Sequence, residues 1–265
     1  FKYEGDTLTD SIVYRGDLRQ EDPNTHQMVD RDADELNLST EVVNGKVVSG
    51  TVYDRRLSWT KYKVLGGEDF IDRTFSYSLD GQKIMSTTVY DQIDGVLKTS
   101  TVYRGVDGRT GDIIASDILG EGGNVVTKAS VIRSISTYTG DEGEEKVKRT
   151  VDYNSTGLKA LYTTVFTYVD GALRESITYK GNVPDAAAEA GAVKRFRTVY
   201  TGEEDEERVD RKFTYYSNNS LGIRNTEIFE YVFNTLVNST LYRGEITGDP
   251  NEMGAQVIRP KQNRG

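Results

Sequence analysis

One short motif is repeated five times in the sequence, and this repetition limits the possible folds more than any other feature. Its clearest copy runs from Ile93 to Gly105 and reads IDGVLKTSTVYRG, a turn dipeptide followed by a strand-like run that ends in Tyr-x-Gly. Aligned on the tyrosine, the copies span Leu8 to Gly16, Val47 to Tyr53, Leu97 to Gly105, Leu173 to Gly181 and Leu236 to Gly244. Such internal repetition is typical of chains built from stacked structural units.

A two-residue turn signal stands before each copy. The five dipeptides are Gly5-Asp6, Asn44-Gly45, Asp94-Gly95, Asp170-Gly171 and Phe233-Asn234. Because Asn-Gly and Asp-Gly accept positive φ at both central positions, they favour the type I′ turn of a β-hairpin. The motif is therefore predicted to be the second arm of a hairpin.

A second pattern recurs upstream of this hairpin. A tyrosine is followed six and seven residues later by two acids and eleven residues later by an arginine. The members are Tyr62, Tyr138 and Tyr200, the pairs Glu68-Asp69, Glu144-Glu145 and Glu206-Glu207, and Arg73, Arg149 and Arg211. Around each arginine, apolar and polar residues alternate with a period of two, which indicates a strand with one buried face.

These patterns together predict an all-β chain of tandem antiparallel meander repeats with four strands per unit, in an elongated or spiralling sheet. The seventeen tyrosines and many threonines and valines favour strands as well. A β-propeller-like arrangement is the alternative, because four strands also make one blade. The predicted divisions are an N-terminal half-repeat hairpin (1–16), a polar link (17–38), repeat 1 with an extra hairpin (39–105), repeat 2 (106–181), repeat 3 (182–244) and a polar C-terminal tail (245–265). Helix is expected only as a short turn within Pro184 to Ala192.

The repeated tyrosines, the Asp-Gly turns and the Gly-x-Leu-x-x-Ser-x-x-Tyr spacing resemble the tyrosine-aspartate (YD, Rhs-type) repeats of bacterial surface proteins. The usual Tyr-Asp-x-x-Gly-Arg order of that family is partly met, as at Tyr90-Asp91 with Asp94-Gly95. The resemblance implies a spiralling sheet and an extracellular or cell-surface location. The links of varying length and the long acidic turns depart from the family.

Charge and composition exclude several classes of protein. The net charge of −9 argues against nucleic acid as a partner, since that requires a basic surface. No apolar run reaches the roughly 18 residues that a membrane span needs. The absence of cysteine excludes disulfides, thiolate nucleophiles and cysteine-based zinc sites.

The acidic pairs are the only candidate metal ligands, and calcium is the ion that several carboxylates on one loop would suit. This interpretation uses Glu68, Asp69, Glu144, Glu145, Glu206 and Glu207. The alternative is a solvated turn that keeps an extended sheet soluble.

The arginines are predicted to be structural. An arginine on the inner face of a strand must be paired, so Arg73, Arg149 and Arg211 are expected to meet a carboxylate or a tyrosine ring of an adjacent strand. Glycosylation is a further prediction at the Asn-x-Ser/Thr sites Asn37, Asn154, Asn218 and Asn238.

The expected function is that of a structural subunit of an extracellular or cell-surface fibre, which joins copies of itself head to tail through β-strand or hairpin addition. The N-terminal hairpin lacks the strands that precede the other copies, so the assembly interface is placed at Phe1, Tyr3, Leu8, Ile12 and Tyr14. A surface adhesin or carbohydrate-binding module with tyrosine–glycan contacts is the alternative. A polysaccharide-active enzyme is third, because no pair of carboxylates is marked out for catalysis. No enzymatic activity is predicted.

Overall fold

The structure is a computed structural model that describes residues 1–14, 19–21, 28–30, 42–43, 46–47, 56–78, 84–105, 131–217 and 222–249. The chain divides into two compact units. Unit 1 contains Phe1–Ile135 and Gly140–Glu145, and unit 2 contains Ser136–Thr139 and Lys146–Gly265.

Strands account for nearly all of the regular structure. Those of unit 1 are β1 (Lys2–Glu4), β2 (Thr7–Tyr14), β3 (Arg19–Glu21), β4 (Met28–Asp30), β5 (Val42–Val43), β6 (Lys46–Val47), β7 (Arg56–Leu65), β8 (Glu68–Tyr77), β9 (Ile84–Ile93) and β10 (Val96–Arg104). The residues of β11 (Val131–Thr139) are divided between the units. Unit 2 continues with β12 (Lys146–Tyr153), β13 (Ala160–Val169), β14 (Ala172–Lys180), helix α1 (Ala186–Gly191), β15 (Lys194–Thr201), β16 (Arg208–Tyr215), β17 (Ile223–Val232) and β18 (Thr235–Arg243).

Each unit is an antiparallel meander. In unit 1 the sheet order is β1-β2-β7-β8-β9-β10, and in unit 2 the strands from β12 to β18 pair in chain order. The predicted all-β meander is therefore confirmed. In unit 2 the pairing continues through seven strands, whereas a propeller blade would end after four, so the propeller alternative is not supported. The division into four-stranded repeats remains a prediction.

The predicted hairpin turns are present where the structure describes them. Asp94-Gly95, Asp170-Gly171 and Phe233-Asn234 all have positive φ at both positions, which defines the type I′ turn. Gly5-Asp6 differs, because only Gly5 has positive φ (65°), as in a type II′ turn. Gly66-Gly67 form a further turn of this length between β7 and β8. The acidic turn predicted at Glu68-Asp69 is therefore wrong, since both residues lie in β8.

Two of the predicted segments contain short strand pairs. The polar link 17–38 contains a short antiparallel pair, β3 with β4, and the extra hairpin of repeat 1 pairs β5 with β6. The expected short helix is α1, whose N-cap Asp185 accepts a hydrogen bond from Ala188 N at 2.9 Å. Within the described residues, no helix is long and apolar enough to cross a membrane.

The buried core of unit 1 is small and aromatic. Trp59 and Phe75 pack with ring centres 5.2 Å apart, Tyr77 and Ile84 complete the cluster, and Ile12 packs against it. The N-terminal hairpin therefore belongs to this sheet, since Ile12 also pairs with Trp59 across β2 and β7. The core of unit 2 includes Phe213, Tyr179 and Val183.

A buried threonine recurs at one position of the hairpins, and we call Thr87, Thr163 and Thr226 the threonine column. All three have no exposed surface, and each Oγ1 donates at 2.7 Å to the carbonyl of the motif glycine 18 residues later. In unit 2 the same hydroxyls also accept backbone N–H groups, from Val183 at 3.0 Å and from Ile246 at 3.1 Å. The second residue of the predicted polar tail is thus buried, because Ile246 is 4% exposed.

Candidate functional site

The candidate site is the edge of β18 that faces away from β17. Its features are defined by comparison with the motif hairpins whose second strand is covered, that is, paired with the strand that follows it. In those hairpins the leucine of the motif donates its backbone N–H to a carboxylate of a later hairpin. The three contacts are Leu8 to Asp69 (3.1 Å), Leu97 to Glu145 (2.9 Å) and Leu173 to Glu207 (2.8 Å). One extra residue follows the leucine in the register of each motif hairpin, which makes a β-bulge at this point.

The acceptors are the second members of the predicted acidic pairs. The hydrogen bond from Leu97 N holds the pKa of the Glu145 carboxyl below its ordinary value, and the bond from Leu173 N does the same for Glu207. Both carboxylates therefore act as charged acceptors at neutral pH. Their role is to join one hairpin to the preceding one.

The first members of the pairs do not share this contact. Glu144 and Glu206 lie in the loops before β12 and β16, where their amides donate to Asp141 O and Glu203 O. Glu68 opens β8 opposite Leu65. Within the residues that the structure describes, no group of three or more His, Cys, Asp or Glu side chains could hold a metal ion. The calcium site remains a prediction from the sequence.

The same acidic loops lie against the hairpin turns. A Cβ on Gly95 would come within 2.9 Å of the carboxyl carbon of Glu142, and Glu204 takes the equivalent place over Gly171. The Nζ of Lys146 binds both the Glu204 carboxylate and the carbonyl of Gly171. The glycine of these turns is thus required by close approach as well as by its φ of about 80°.

The second recurring contact joins the serine of the motif to the tyrosine of the next strand. Ser11 Oγ lies 3.3 Å from the hydroxyl of Tyr62, and Ser176 Oγ lies 3.1 Å from that of Tyr200. The tyrosine column thus provides hydroxyl groups between strands. Sequence alignment found both columns, but it gave no sign that they meet.

At β18 neither contact is made within the described residues. Leu236 and Val237 are 52% and 57% exposed, and no described carboxylate accepts from the Leu236 amide. Ser239 is exposed and donates instead to Glu227 on its own sheet at 3.0 Å. Its counterparts Ser100 and Ser176 are buried. In the part of the chain that the structure describes, no further strand therefore lies against the serine and leucine groups of β18.

The residues predicted as the assembly interface lie in β1, in β2 or directly before β1. Phe1 and Tyr3 are 84% and 58% exposed, in agreement with an outer position. Leu8, Ile12 and Tyr14 are half-buried, because β2 pairs with β7. The strand that carries these three residues is thus paired within its own chain.

The arginine column forms ion pairs. The partners are Asp72 for Arg73 (2.7 Å), Glu189 for Arg149 (3.1 Å) and Asp210 for Arg211 (2.6 Å). These carboxylates come from the preceding residue of the strand for Arg73 and Arg211 and from α1 for Arg149. Arg211 also donates to the carbonyl of Ile246 at 3.1 Å.

Two of the predicted glycosylation sites are described. Asn154 is half-buried, and its Oδ1 accepts from Leu158 N and Lys159 N, each at 3.2 Å, within the turn after β12. Asn238 is exposed on β18, and its Nδ2 lies 3.2 Å from Glu230 Oε2. Asn37 and Asn218 lie outside the described residues.

An open hollow of about 430 Å³ lies beside α1 in unit 2, and Tyr179, Glu189, Lys194 and Tyr215 contribute to its lining. Burial raises the pKa of both tyrosines. Glu189 is already paired with Arg149, and Lys194 Nζ lies 6.0 Å from the Tyr215 ring centre. Because these charges have protein partners, the hollow gives the glycan-binding alternative no added support.

Comparison with known proteins adds no relative, since no family model and no curated protein matches this sequence. The resemblance to tyrosine-aspartate repeats therefore remains a prediction based on residue pattern. The threonine column was missed by sequence reasoning. Its constant spacing of 18 residues from the motif glycine is the signal that could have found it.

Proposed function

We propose that the protein is a structural, non-catalytic subunit that assembles with other β-repeat chains, copies of itself included, by strand or hairpin addition at β18. The observation that carries this proposal is the difference between β18 and the equivalent strand β14. Most of β14 is buried or half-buried, whereas the first five residues of β18 are exposed. A strand of nine residues with exposed apolar side chains, against which no other described strand lies, is a template for further pairing.

The backbone of β18 supports addition at this edge. Gly244 N, just after the strand, donates to Arg224 O and so points towards β17. Because amides alternate in direction along a strand, those of Ser239 and Leu241 point away from β17. These N–H groups are what an added strand would bind.

The short strand β1 is a weaker candidate edge. It has three residues, all exposed. In the other hairpins the residues at its position, such as Asp91 to Ile93 of β9, take no part in pairing with the preceding strand. We therefore move the proposed interface from the N-terminal hairpin to β18. A cell-surface fibre remains the proposed setting, supported by the resemblance to surface repeat proteins.

The test is to block the edge without damaging the sheet. Proline is tolerated on edge strands where its missing N–H would face solvent, so Leu241→Pro removes one outward donor. Leu241→Ala is the matched control, since it shortens the same side chain and keeps the N–H. Sedimentation velocity and negative-stain electron microscopy of the full chain over a range of concentrations measure assembly.

The expected result is concentration-dependent assembly of the wild type and of Leu241→Ala, and its loss in Leu241→Pro. A wild-type chain that stays a single particle at every concentration would contradict the proposed function. Assembly of Leu241→Pro equal to that of the wild type would show that β18 is not the interface. Deletion of residues 1–16 is a poor test, because it would expose β7.

A further inference from the structure

The chemistry of the strands that cover β2 and β14 predicts what β18 would accept, and this step rests on the proposed function. Each covering element is an antiparallel hairpin, β7–β8 on β2 and β15–β16 on β14. Its first strand supplies a tyrosine hydroxyl to the serine of the motif. The carboxylate that accepts the leucine N–H follows the tyrosine by seven residues, as Asp69 follows Tyr62.

The edge of β18 presents the same two groups at the same spacing. Leu236 and Ser239 are three residues apart, as are Leu173 and Ser176. A serine hydroxyl has one donor and two acceptor sites. Ser239 can therefore keep its bond to Glu227 and still accept a tyrosine O–H.

The outward N–H of Leu236 favours an added hairpin that offers a charged hydrogen-bond acceptor. An exposed amide at a bulge is matched best by a carboxylate, because hydrogen bonds to an ionised acceptor are stronger than neutral ones. A hairpin without the acid would leave this donor unpaired under the added strand. The edge of β18 thus distinguishes hairpins that carry this acid from those that do not, and it also offers backbone pairing.

We propose that β18 is the docking edge for a β-hairpin that carries a tyrosine in its first strand and a carboxylate seven residues later. The tyrosine hydroxyl binds Ser239 Oγ, and the carboxylate accepts from Leu236 N. A chain that presents a free hairpin of the β15–β16 type fits this description. The bound state repeats the contacts that β14 makes with Tyr200 and Glu207.

The probe is a synthetic peptide with the sequence of residues 194–215, labelled for fluorescence anisotropy and titrated with the full chain. We expect binding to the wild-type chain, and binding to Leu241→Pro at least roughly tenfold weaker. In the peptide, Glu207→Gln is expected to weaken binding about tenfold. Glu206→Gln is the matched control, because it removes the same charge one residue away and is expected to change affinity less than about twofold.

A double-mutant cycle tests the tyrosine contact directly. Peptide Tyr200→Phe is expected to bind the wild-type chain about threefold to tenfold more weakly and to cause almost no further loss with Ser239→Ala. Additive losses would overturn the Tyr–Ser contact. Equal effects of the Glu206 and Glu207 substitutions would overturn the carboxylate contact.

The two proposals fail in different ways. If the full chain assembles through β18 but the peptide neither binds nor inhibits assembly, the docking chemistry is wrong and the structural role stands. In that case β18 pairs with another surface, such as β18 of a second copy. If the peptide binds as expected and the chain never assembles, the docking chemistry stands and the role as a self-assembling subunit is wrong.

Discussion

At the scale of single residues, the threonine column joins a buried side chain of each hairpin to the backbone after its second strand. Thr163 Oγ1 donates to Gly181 O and accepts from Val183 N, and the side chain has no exposed surface. Its hydroxyl satisfies one buried acceptor and one buried donor. Thr226 serves Gly244 O and Ile246 N in the same way.

Thr163→Val should therefore destabilise the protein far more than its nearly equal volume suggests. It leaves Gly181 O and Val183 N without a partner, at about 1–3 kcal/mol for each buried group. Urea unfolding followed by far-ultraviolet circular dichroism measures the loss. Thr164→Val is the control, because the half-buried Thr164 hydroxyl bonds only to Thr178 Oγ1 (3.0 Å) and is expected to cost under about 1 kcal/mol. Equal losses in the two variants would contradict the assigned role.

Sequence pattern predicted single residues unevenly. The tyrosine, serine and leucine columns stand out by alignment, since their neighbours vary. The threonine column does not stand out, because threonine is common throughout these strands and its partners are backbone groups, which leave no mark in the sequence. Ile71 shows the opposite error. Alternation predicts that it is buried with Phe75, yet it is 38% exposed near the start of β8.

At the scale of elements, the acidic loops act as connectors between consecutive hairpins. Glu145 and Glu207 each accept the N–H of a leucine in an earlier hairpin, and their carboxyl pKa values are lowered by that bond. A carboxyl whose pKa is lower in the folded state than in the unfolded state stabilises the fold above the unfolded value. That stabilisation is lost as the pH falls through the folded value.

Acidic pH should therefore weaken the hydrogen bonds from the leucine amides to Glu145 and Glu207 first. We expect the melting temperature to be constant from pH 7 down to about pH 5 and to fall below the ordinary glutamate pKa of about 4.5. Glu207→Gln should lower the melting temperature at pH 7 and reduce the difference between pH 7 and pH 3. Thermal denaturation in buffers of matched ionic strength measures both effects.

Glu206→Gln provides the comparison for this experiment. Glu206 is exposed in the same loop, and the only hydrogen bond described for it is that of its backbone amide to Glu203 O. The Glu206→Gln variant should leave the dependence of the melting temperature on pH close to that of the wild type. If the two glutamine variants shift the profile equally, the effect comes from loop charge in general and not from the leucine amide.

Hairpins were the elements best predicted from the sequence, because turn dipeptides and alternation are local signals. The function of the acidic loops was not predicted, since it depends on which hairpin lies next to which. Leu97 and Glu145 are 48 positions apart, and Leu173 and Glu207 are 34 apart. No fixed spacing links the two partners, so alignment could not join them.

At the scale of the whole molecule, the sequence predicted an antiparallel meander with a free edge at the N-terminal hairpin. The N-terminal hairpin was expected to be free because it lacks two preceding strands. Its second strand is nevertheless held by β7 through register pairs, by the bond from Trp59 Nε1 to Asp10 Oδ1 (2.7 Å) and by Asp69. The second strand of a hairpin is covered when the strand that follows it in the chain pairs with it, and no described strand follows β18.

The difference between β14, which pairs with β15, and β18, which pairs with no later described strand, should be visible in amide hydrogen exchange of the full chain at low concentration. Ser176 and Thr178 lie in β14 opposite Thr198 and Phe196 of β15, so their outward amides are expected to be protected. Ser239 and Leu241 occupy the same positions in β18. Their amides should exchange faster by on the order of a hundredfold, since exchange there needs no opening of a strand pair.

The inward amides of the same strands are the internal control. Those of Thr240 and Tyr242 point towards β17, as Gly244 N does, and should be protected as well as their β14 counterparts. Raising the concentration until the chain assembles should slow Ser239 and Leu241 and leave Thr240 unchanged. If Ser239 and Leu241 are already as slow as Ser176 and Thr178 at low concentration, the edge is covered within the single chain, and assembly would need a different surface.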